Sequence, residues 1–81
     1  MKVTMRYEKI NTYAGKQYLH GWEEPYSTKA RWFNASLQRY DKELPFLLPG
    51  MVLSFECESV GESFPFATVI IIGDIKLIPG K

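Results

Sequence analysis

Alternation of apolar and polar residues predicts strands in the first part of the chain. In residues 1–10 apolar side chains alternate with polar ones, a period of two that is typical of a half-buried strand. Residues 16–22 are compatible with a second strand. The turn-forming residues in 11–15 would join the two strands as a hairpin with Lys16 near its tip. The inward positions of the first strand are Val3, Met5 and Tyr7.

Two stretches in the middle of the chain alternate in the same way. Residues 30–40 predict a strand, with a short helix over 34–40 as the alternative because Leu, Gln and Arg favour helices. Residues 51–58 give the clearest strand pattern in the chain. Its predicted inward positions are Met51, Leu53, Phe55 and Cys57, and its outward positions are Ser54, Glu56 and Glu58.

The last strand has a different pattern. Residues 67–78 are apolar on both faces up to Asp74, which predicts a long, central and mostly buried strand with a bulge or bend at Gly73. Proline, glycine and polar residues mark the connections between strands. We place these connections at 23–28, 41–50 and 61–65, and the strand ends at 79–81.

Five strands, almost no helix and a bend in the last strand indicate the fold class. We predict a single domain over residues 1–81, with an all-β, five-stranded antiparallel Greek-key barrel that is OB-fold-like. An SH3-like barrel fits the number of strands nearly as well, so the strand pattern leaves both architectures open.

Composition argues against several classes of site. The chain has one cysteine, Cys57, and one histidine, His20, so it has no internal disulfide and too few ligands for zinc. We expect no metal and no cofactor, and an unpaired cysteine suits a reducing cytoplasm. No apolar run reaches the length of a membrane span, and the N-terminus has the pattern of a charged strand rather than a signal peptide. These features predict a cytoplasmic protein without membrane contact.

The small size of the chain predicts self-association. A core built from 81 residues is marginal without a disulfide, a metal or a partner subunit. The stretch 64–72 has too few polar positions for a surface strand. We therefore predict a homodimer that buries this stretch.

Charge is distributed unevenly although the net charge is only +1. Residues 1–42 contain eight lysines and arginines and four acids, whereas residues 43–81 contain two lysines and five acids. This asymmetry indicates a basic binding side and an acidic remainder. A mixture of solvated charges is the alternative.

Aromatic rings and cations are interleaved between residues 15 and 33. A flat ring can stack on any nucleobase, and a nearby cation can neutralise the adjoining phosphate. Because Trp32 and Phe33 face opposite sides of one strand, we predict that Phe33, which shares a face with Arg31, is the exposed ring. The alternative is that these rings fill the core. The rings are Tyr18, Trp22, Tyr26, Trp32 and Phe33, and the cations among them are Lys29 and Arg31.

Several short motifs follow one another along nearly the whole chain. They are Gly15-Lys16-x-Tyr18, Tyr26, Phe33, Pro49-Gly50, Val60-Gly61-x-x-Phe64 and Ile75-Lys76-Leu77-Ile78-Pro79-x-Lys81. In their order and spacing these motifs resemble those of the single-stranded DNA-binding (helix-destabilising, gene V) proteins of filamentous bacteriophages.

The resemblance implies an OB-like barrel that works as a two-fold dimer. Such a protein coats single-stranded DNA cooperatively, with little sequence preference, during replication of a phage or mobile element. By position, Lys16 and Tyr18 correspond to the DNA-binding hairpin, Tyr26 and Phe33 to rings that meet bases, and Lys76 to a basic residue of the last strand. Phe64 corresponds to a ring supplied by the partner subunit, and the sequence leaves open whether it contacts DNA or that subunit.

This chain departs from the family pattern in its charges. The hairpin arginines of the family are missing, and Asp74 stands at a position that is basic in the family. Lys9 could compensate, or the groove could be shifted towards other cations. The predicted nucleic-acid-binding residues are therefore Lys9, Lys16, Tyr18, Tyr26, Lys29, Arg31, Phe33, Arg39, Phe64 and Lys76.

The residue inventory argues against an enzyme. The chain lacks a Ser/His/Asp set with spare members, a carboxylate pair in an apolar context and a glycine-rich phosphate loop, so we expect no small-molecule substrate. The alternative function is a protein-binding module, such as a phage or plasmid modulator of a host protein. Trp, Tyr and Arg also dominate protein interfaces. Its anchors would be Trp22, Tyr26, Trp32 and Phe33.

Overall fold

The computed structural model describes residues 1–79, which contain strands and no helix. The connections fall where proline, glycine and polar residues cluster, as the sequence predicts. The strands are β1 (Lys2–Tyr13), β2 (Lys16–Glu23), β3 (Trp32–Ser36), β4 (Val52–Ser63), β5 (Phe66–Ile71) and β6 (Lys76–Ile78).

Five of the strands form a closed ring in the order β1-β2-β3-β5-β4, and β4 returns to pair with β1. This arrangement confirms the predicted all-β, five-stranded, OB-like class. The sheet is mixed rather than wholly antiparallel as predicted, because β3 and β5 are parallel while the other pairs are antiparallel. The connection over residues 37–51 leads from β3 to β4, which pairs with β1 on the side opposite β2. β5 then follows β4 in a hairpin and pairs with β3 in the parallel direction.

β1 closes the ring by pairing with two neighbours. It pairs with β4 through Lys2–Arg6 and with β2 through Met5–Tyr13, and its register shifts between Tyr7 and Lys9. At this crossing Gly21 lies so close to the Arg6 carbonyl oxygen that an added Cβ would collide with it. Glycine is therefore required at this position by the close approach of two backbones.

The hairpin between β1 and β2 is longer than the sequence predicts. β1 continues through Tyr13, so Asn11 belongs to the strand, and the turn consists of Ala14 and Gly15 alone. Both have positive φ, 52° and 76°, as in the two-residue turns whose twist matches that of the flanking strands.

The bend predicted at Gly73 is present. β5 and β6 both pair antiparallel with β4 and are separated by residues 72–75. All three residues of β6 are exposed, so this part of the predicted buried strand is at the surface. The strand predicted over 30–40 is present but shorter, Trp32–Ser36, and the helix over 34–40, which was the alternative, is absent. Gly80 and Lys81 of the predicted strand end, and Lys81 of the family motif, lie outside the described residues.

The core fills the ring from every strand except β6. Leu53, Phe55 and Cys57 are buried, as their alternation predicts, whereas Ser54, which we expected to face outward, is buried too. Its hydroxyl has no hydrogen-bond partner within residues 1–79. The core residues are Val3, Met5, Tyr7, Leu19, Phe33, Ala35, Leu53, Phe55, Cys57, Ala67, Val69 and Ile71.

Phe33 belongs to this core, so the prediction that it is an exposed stacking ring is wrong. Its side chain is 1% exposed, and it pairs in register with Gly21 on one side and Ala67 on the other. Those neighbours face inward and are small, which leaves room for a large ring inside the barrel. Trp32, the residue before it, lies on the outer side instead.

Replacement of Phe33 by alanine tests this assignment. We expect Phe33→Ala to lower the free energy of unfolding by about 3–5 kcal/mol, because it leaves a cavity in the core. Urea denaturation measures the effect. Phe46→Ala is the matched control, since Phe46 is 76% exposed and its loss should change stability by less than about 0.5 kcal/mol. Equal small losses in both variants would show that Phe33 is not a core residue.

Candidate nucleic-acid interface

The outer side of β2, β3 and β5 forms one continuous surface, which we call the outer face. Because directly paired residues project to the same side of a sheet, the register arranges its side chains in rows. The aromatic row is Trp22–Trp32–Phe66, the polar row is His20–Asn34–Thr68, and the third row is Tyr18–Ser36–Ile70.

The aromatic row and its neighbours form a nearly continuous surface of rings. The Trp22 and Trp32 rings are in contact, with their planes tilted by 38°. Tyr26, in the connection after β2, meets Trp22 edge-on with ring centroids 5.6 Å apart. His20 stacks on Trp32 with centroids 4.9 Å apart and planes 7° from parallel. Phe66 completes the row and is more than half exposed.

A groove of about 500 Å³ lies beside the polar row. One wall is the far end of the β1–β2 hairpin, and the opposite side includes Asn34 and Thr68. Tyr18, one of the predicted nucleic-acid-binding residues, lines this groove. The lining residues are Asn11, Thr12, Tyr13, Tyr18, Asn34 and Thr68.

Two hairpins extend beyond opposite ends of the outer face. The β1–β2 hairpin continues past Tyr18 and carries the exposed ring of Tyr13, whereas the β4–β5 hairpin continues past Phe66 and carries the exposed ring of Phe64. In OB-like barrels the strand 2–3 face and these two hairpins form the usual oligomer-binding surface. The predicted rings Tyr18, Tyr26 and Phe64 all belong to this region.

Three predicted lysines surround the outer face. Lys9 pairs in register with His20, Lys16 begins β2 at the hairpin tip, and Lys29 follows Tyr26 in the connection to β3. Each is exposed, and none has an ion-pair partner within residues 1–79. Their ammonium groups are therefore available for phosphate.

The predicted arginines, in contrast, are bound to carboxylates. The Arg31 guanidinium donates to both carboxylate oxygens of Glu23 at 3.2 and 3.0 Å and to Glu62 at 2.9 Å. It lies 5.0 Å from the centroid of the Phe33 ring, at one end of the core. Arg39 donates to Glu58 at 2.8 Å. Both arginines thus have carboxylate partners, unlike the three lysines.

Lys76 is not brought to the outer face. It lies on β6 and lines a separate groove with Lys2, Glu56 and Asp74. The carboxylate of Asp74 is bound by Lys42, whose hydrogen bond lowers the pKa of Asp74. The predicted set of ten residues therefore divides into those around the outer face and those held elsewhere: Arg31, Phe33, Arg39 and Lys76.

The sequence-based set contains Tyr18 but omits the other members of the three rows. The most important omissions are Trp22 and Trp32, which form the aromatic row with Phe66, and Asn34, which lines the groove. The alternation of residues 30–40 does indicate that Trp32 and Asn34 lie on the same side of the strand. Because Phe33 is predicted to be the exposed ring, that prediction places Trp32 and Asn34 on the interior side.

Comparison of the chain with models of known protein families, with curated proteins and with solved structures finds no significant match. In the part of the chain that the structure describes, no helix is long and apolar enough to cross a membrane.

The Arg31–Glu23 contact predicts a pH dependence of stability. Hydrogen bonding to Arg31 holds the pKa of the Glu23 carboxyl below its usual range. A carboxyl whose pKa is lower in the folded state stabilises the fold when ionised, and this stabilisation is lost as the pH falls through that lowered pKa. We expect thermal melting between about pH 5 and pH 3 to show a smaller loss of stability in Glu23→Gln than in the wild type. Identical pH profiles would contradict this role of Glu23.

Proposed function

We propose that this protein binds and coats single-stranded DNA through the outer face. The observation that carries the proposal is the row of partly exposed rings Trp22, Trp32 and Phe66. On the same face Lys9 lies beside the polar row and Lys16 lies at the β1–β2 hairpin, and neither has an ion-pair partner within residues 1–79. Bases of any sequence can stack on such rings, while lysines neutralise the phosphates between them.

The positions of the rings also suit a single strand of DNA that runs across the outer face from one hairpin to the other. Tyr18 and Tyr13 lie towards one hairpin, and Phe66 and Phe64 lie towards the other. A single strand that crosses the outer face would meet rings along its whole path, and we assign Tyr26 and Lys29 to its side. Double-stranded DNA hides the faces of its bases inside the helix, so stacking of this kind favours single strands.

The resemblance to the filamentous-phage single-stranded DNA-binding proteins is a second line of support. On that resemblance the proposal includes cooperative coating, little sequence preference and a role in DNA replication of a phage or mobile element. Within the motif, Lys16, Tyr18 and Tyr26 lie where the proposal needs them. Phe33 does not, and in the proposal Trp32 takes over its stacking role.

Intrinsic fluorescence tests the proposal directly, because both tryptophans of the chain lie on the outer face. Addition of oligo(dT) should quench their emission, and salt should reverse the quenching. The logarithm of the binding constant should fall with the logarithm of the salt concentration with a slope of about −0.7 per phosphate contacted. An absence of quenching at low salt would contradict DNA binding and favour the protein-binding alternative.

Trp32 should contribute strongly to binding. We expect Trp32→Ala to weaken binding to oligo(dT) by about 1–3 kcal/mol, because one stacking platform is lost. Fluorescence anisotropy of a labelled oligonucleotide measures the affinity without depending on the deleted ring. Phe46→Ala removes an exposed ring that belongs to the long β3–β4 connection and should leave affinity unchanged. Equal losses in the two variants would show that the outer face is not the binding surface.

The proposal also includes a homodimer. Phe64 and Ile72 are exposed apolar residues in or next to the β4–β5 hairpin, and a two-fold contact there would bury them while leaving Phe66 on the outer face. Phe64 then has either of two roles, a contact to DNA or a contact to the partner subunit.

Dimerisation predicts that the melting temperature rises with protein concentration, because association stabilises the folded chain. Ile72→Lys should remove that dependence by placing a charge in the contact. Leu48→Lys, at a similarly exposed residue of another segment, should retain it. A monomer in light scattering together with a concentration-independent melt would contradict the dimer.

A further inference from the structure

The polar row of the outer face lies between rings and has its own chemistry. His20, Asn34 and Thr68 are adjacent across three strands. Asn34 and Thr68 also line the groove next to Tyr18, and His20 stacks on Trp32. If bases stack on the neighbouring rings, their edges come near this polar row. The row can therefore distinguish bases by the hydrogen bonds that it offers.

The orientation of the Asn34 amide is set by His20. Their Nδ1 and Oδ1 atoms are 3.0 Å apart, and because an amide oxygen can only accept, the imidazole nitrogen is the donor. The stack on Trp32 holds the imidazole ring in place. Within residues 1–79 the Asn34 Nδ2 group makes no hydrogen bond. Asn34 therefore presents its Nδ2 group to the groove as a fixed donor, while its Oδ1 atom already accepts a hydrogen bond from His20.

A fixed donor discriminates among bases. Thymine and uracil carry a carbonyl oxygen at the position where cytosine carries an amino group, and guanine differs from adenine in the same way. An unrestrained asparagine can bind adenine through both its donor and its acceptor. In this mode the amide must turn its oxygen to the base, whereas the hydrogen bond from His20 holds the Asn34 oxygen towards the imidazole. The amino group of cytosine or adenine would instead face the donor of Asn34.

We propose that Asn34 is a base-reading residue that favours keto bases over amino bases, and that His20 is the positioning residue that makes it a donor. This inference rests on the proposed binding of single-stranded DNA. One additional hydrogen bond corresponds to roughly a five-fold difference in affinity. Such a modest bias is compatible with a protein that coats DNA of any sequence.

The test compares oligo(dU) and oligo(dC) of equal length at neutral pH and fixed salt. These two polymers share ring size and sugar and lack the thymine methyl group, so they differ at the edge that Asn34 would read. The wild type should bind oligo(dU) roughly five-fold more tightly than oligo(dC). In Asn34→Leu, which is similar in size, the ratio should fall to about one because binding to oligo(dU) weakens.

His20→Phe separates positioning from a general loss of structure. The phenylalanine ring can retain the stack on Trp32 but cannot donate to Asn34, so the amide is free to turn and present its oxygen. The ratio should again approach one, but through tighter binding to oligo(dC). A merely structural role of His20 would weaken binding to both polymers alike, and that result would overturn the role assigned to it.

The remaining outcomes separate this inference from the function on which it rests. Equal binding of oligo(dU) and oligo(dC) by the wild type would overturn the inference and leave single-stranded DNA binding intact. A ratio that persists in a folded Asn34→Leu would overturn it as well. Failure of the wild type to bind either polymer at low salt would overturn the proposed function and the inference together.

Discussion

The structure depends on the way β1 pairs with two strands and closes the ring. Its first residues pair with β4 and its later residues with β2, and the register shift between Tyr7 and Lys9 lies in the pairing with β2. The crossing requires the backbones at Arg6 and Gly21 to approach more closely than any side chain would permit. Without this closure the sheet would have two unpaired edges and its inner side would be open to water.

Because the ring is closed, each of its strands has an inner side that packs in the core and an outer side that faces away from it. The inner side holds the apolar residues that stabilise the fold by leaving water. The outer side of β2, β3 and β5 is then free for side chains that a core would exclude, among them two tryptophans beside a row containing a histidine and an asparagine. A rigid ring fixes the spacing of these rows, so a binding surface built on them needs little reordering when a ligand arrives.

Charge is organised by the same framework. The acids near the barrel end and along β4 bind the arginines, so that Arg31 joins Glu23 to Glu62 and Arg39 joins the β3–β4 connection to Glu58. Ion pairs at the surface contribute little stability individually, but a phosphate would have to compete with these carboxylates for the guanidinium groups. The lysines around the outer face remain available. The electrostatic character of the surface thus follows from which cations the acids occupy rather than from the net charge.

The sequence by itself determined most of the strands, the all-β class and most of the connections, because alternation and turn residues act locally along the chain. It also determined that Trp32 and Phe33 lie on opposite sides of one strand. Local alternation cannot decide which side is the interior, since that depends on the partners across the sheet. Only the tertiary structure placed Gly21 and Ala67 beside Phe33 and thereby turned it inward. The contacts of the charged side chains also depend on the tertiary structure. Glu62, the partner of Arg31 on the β4–β5 hairpin, is 31 residues away in the chain, so no local pattern could predict that contact. The groove next to Asn34 likewise exists only because three strands and a hairpin that are separate in sequence meet at one surface.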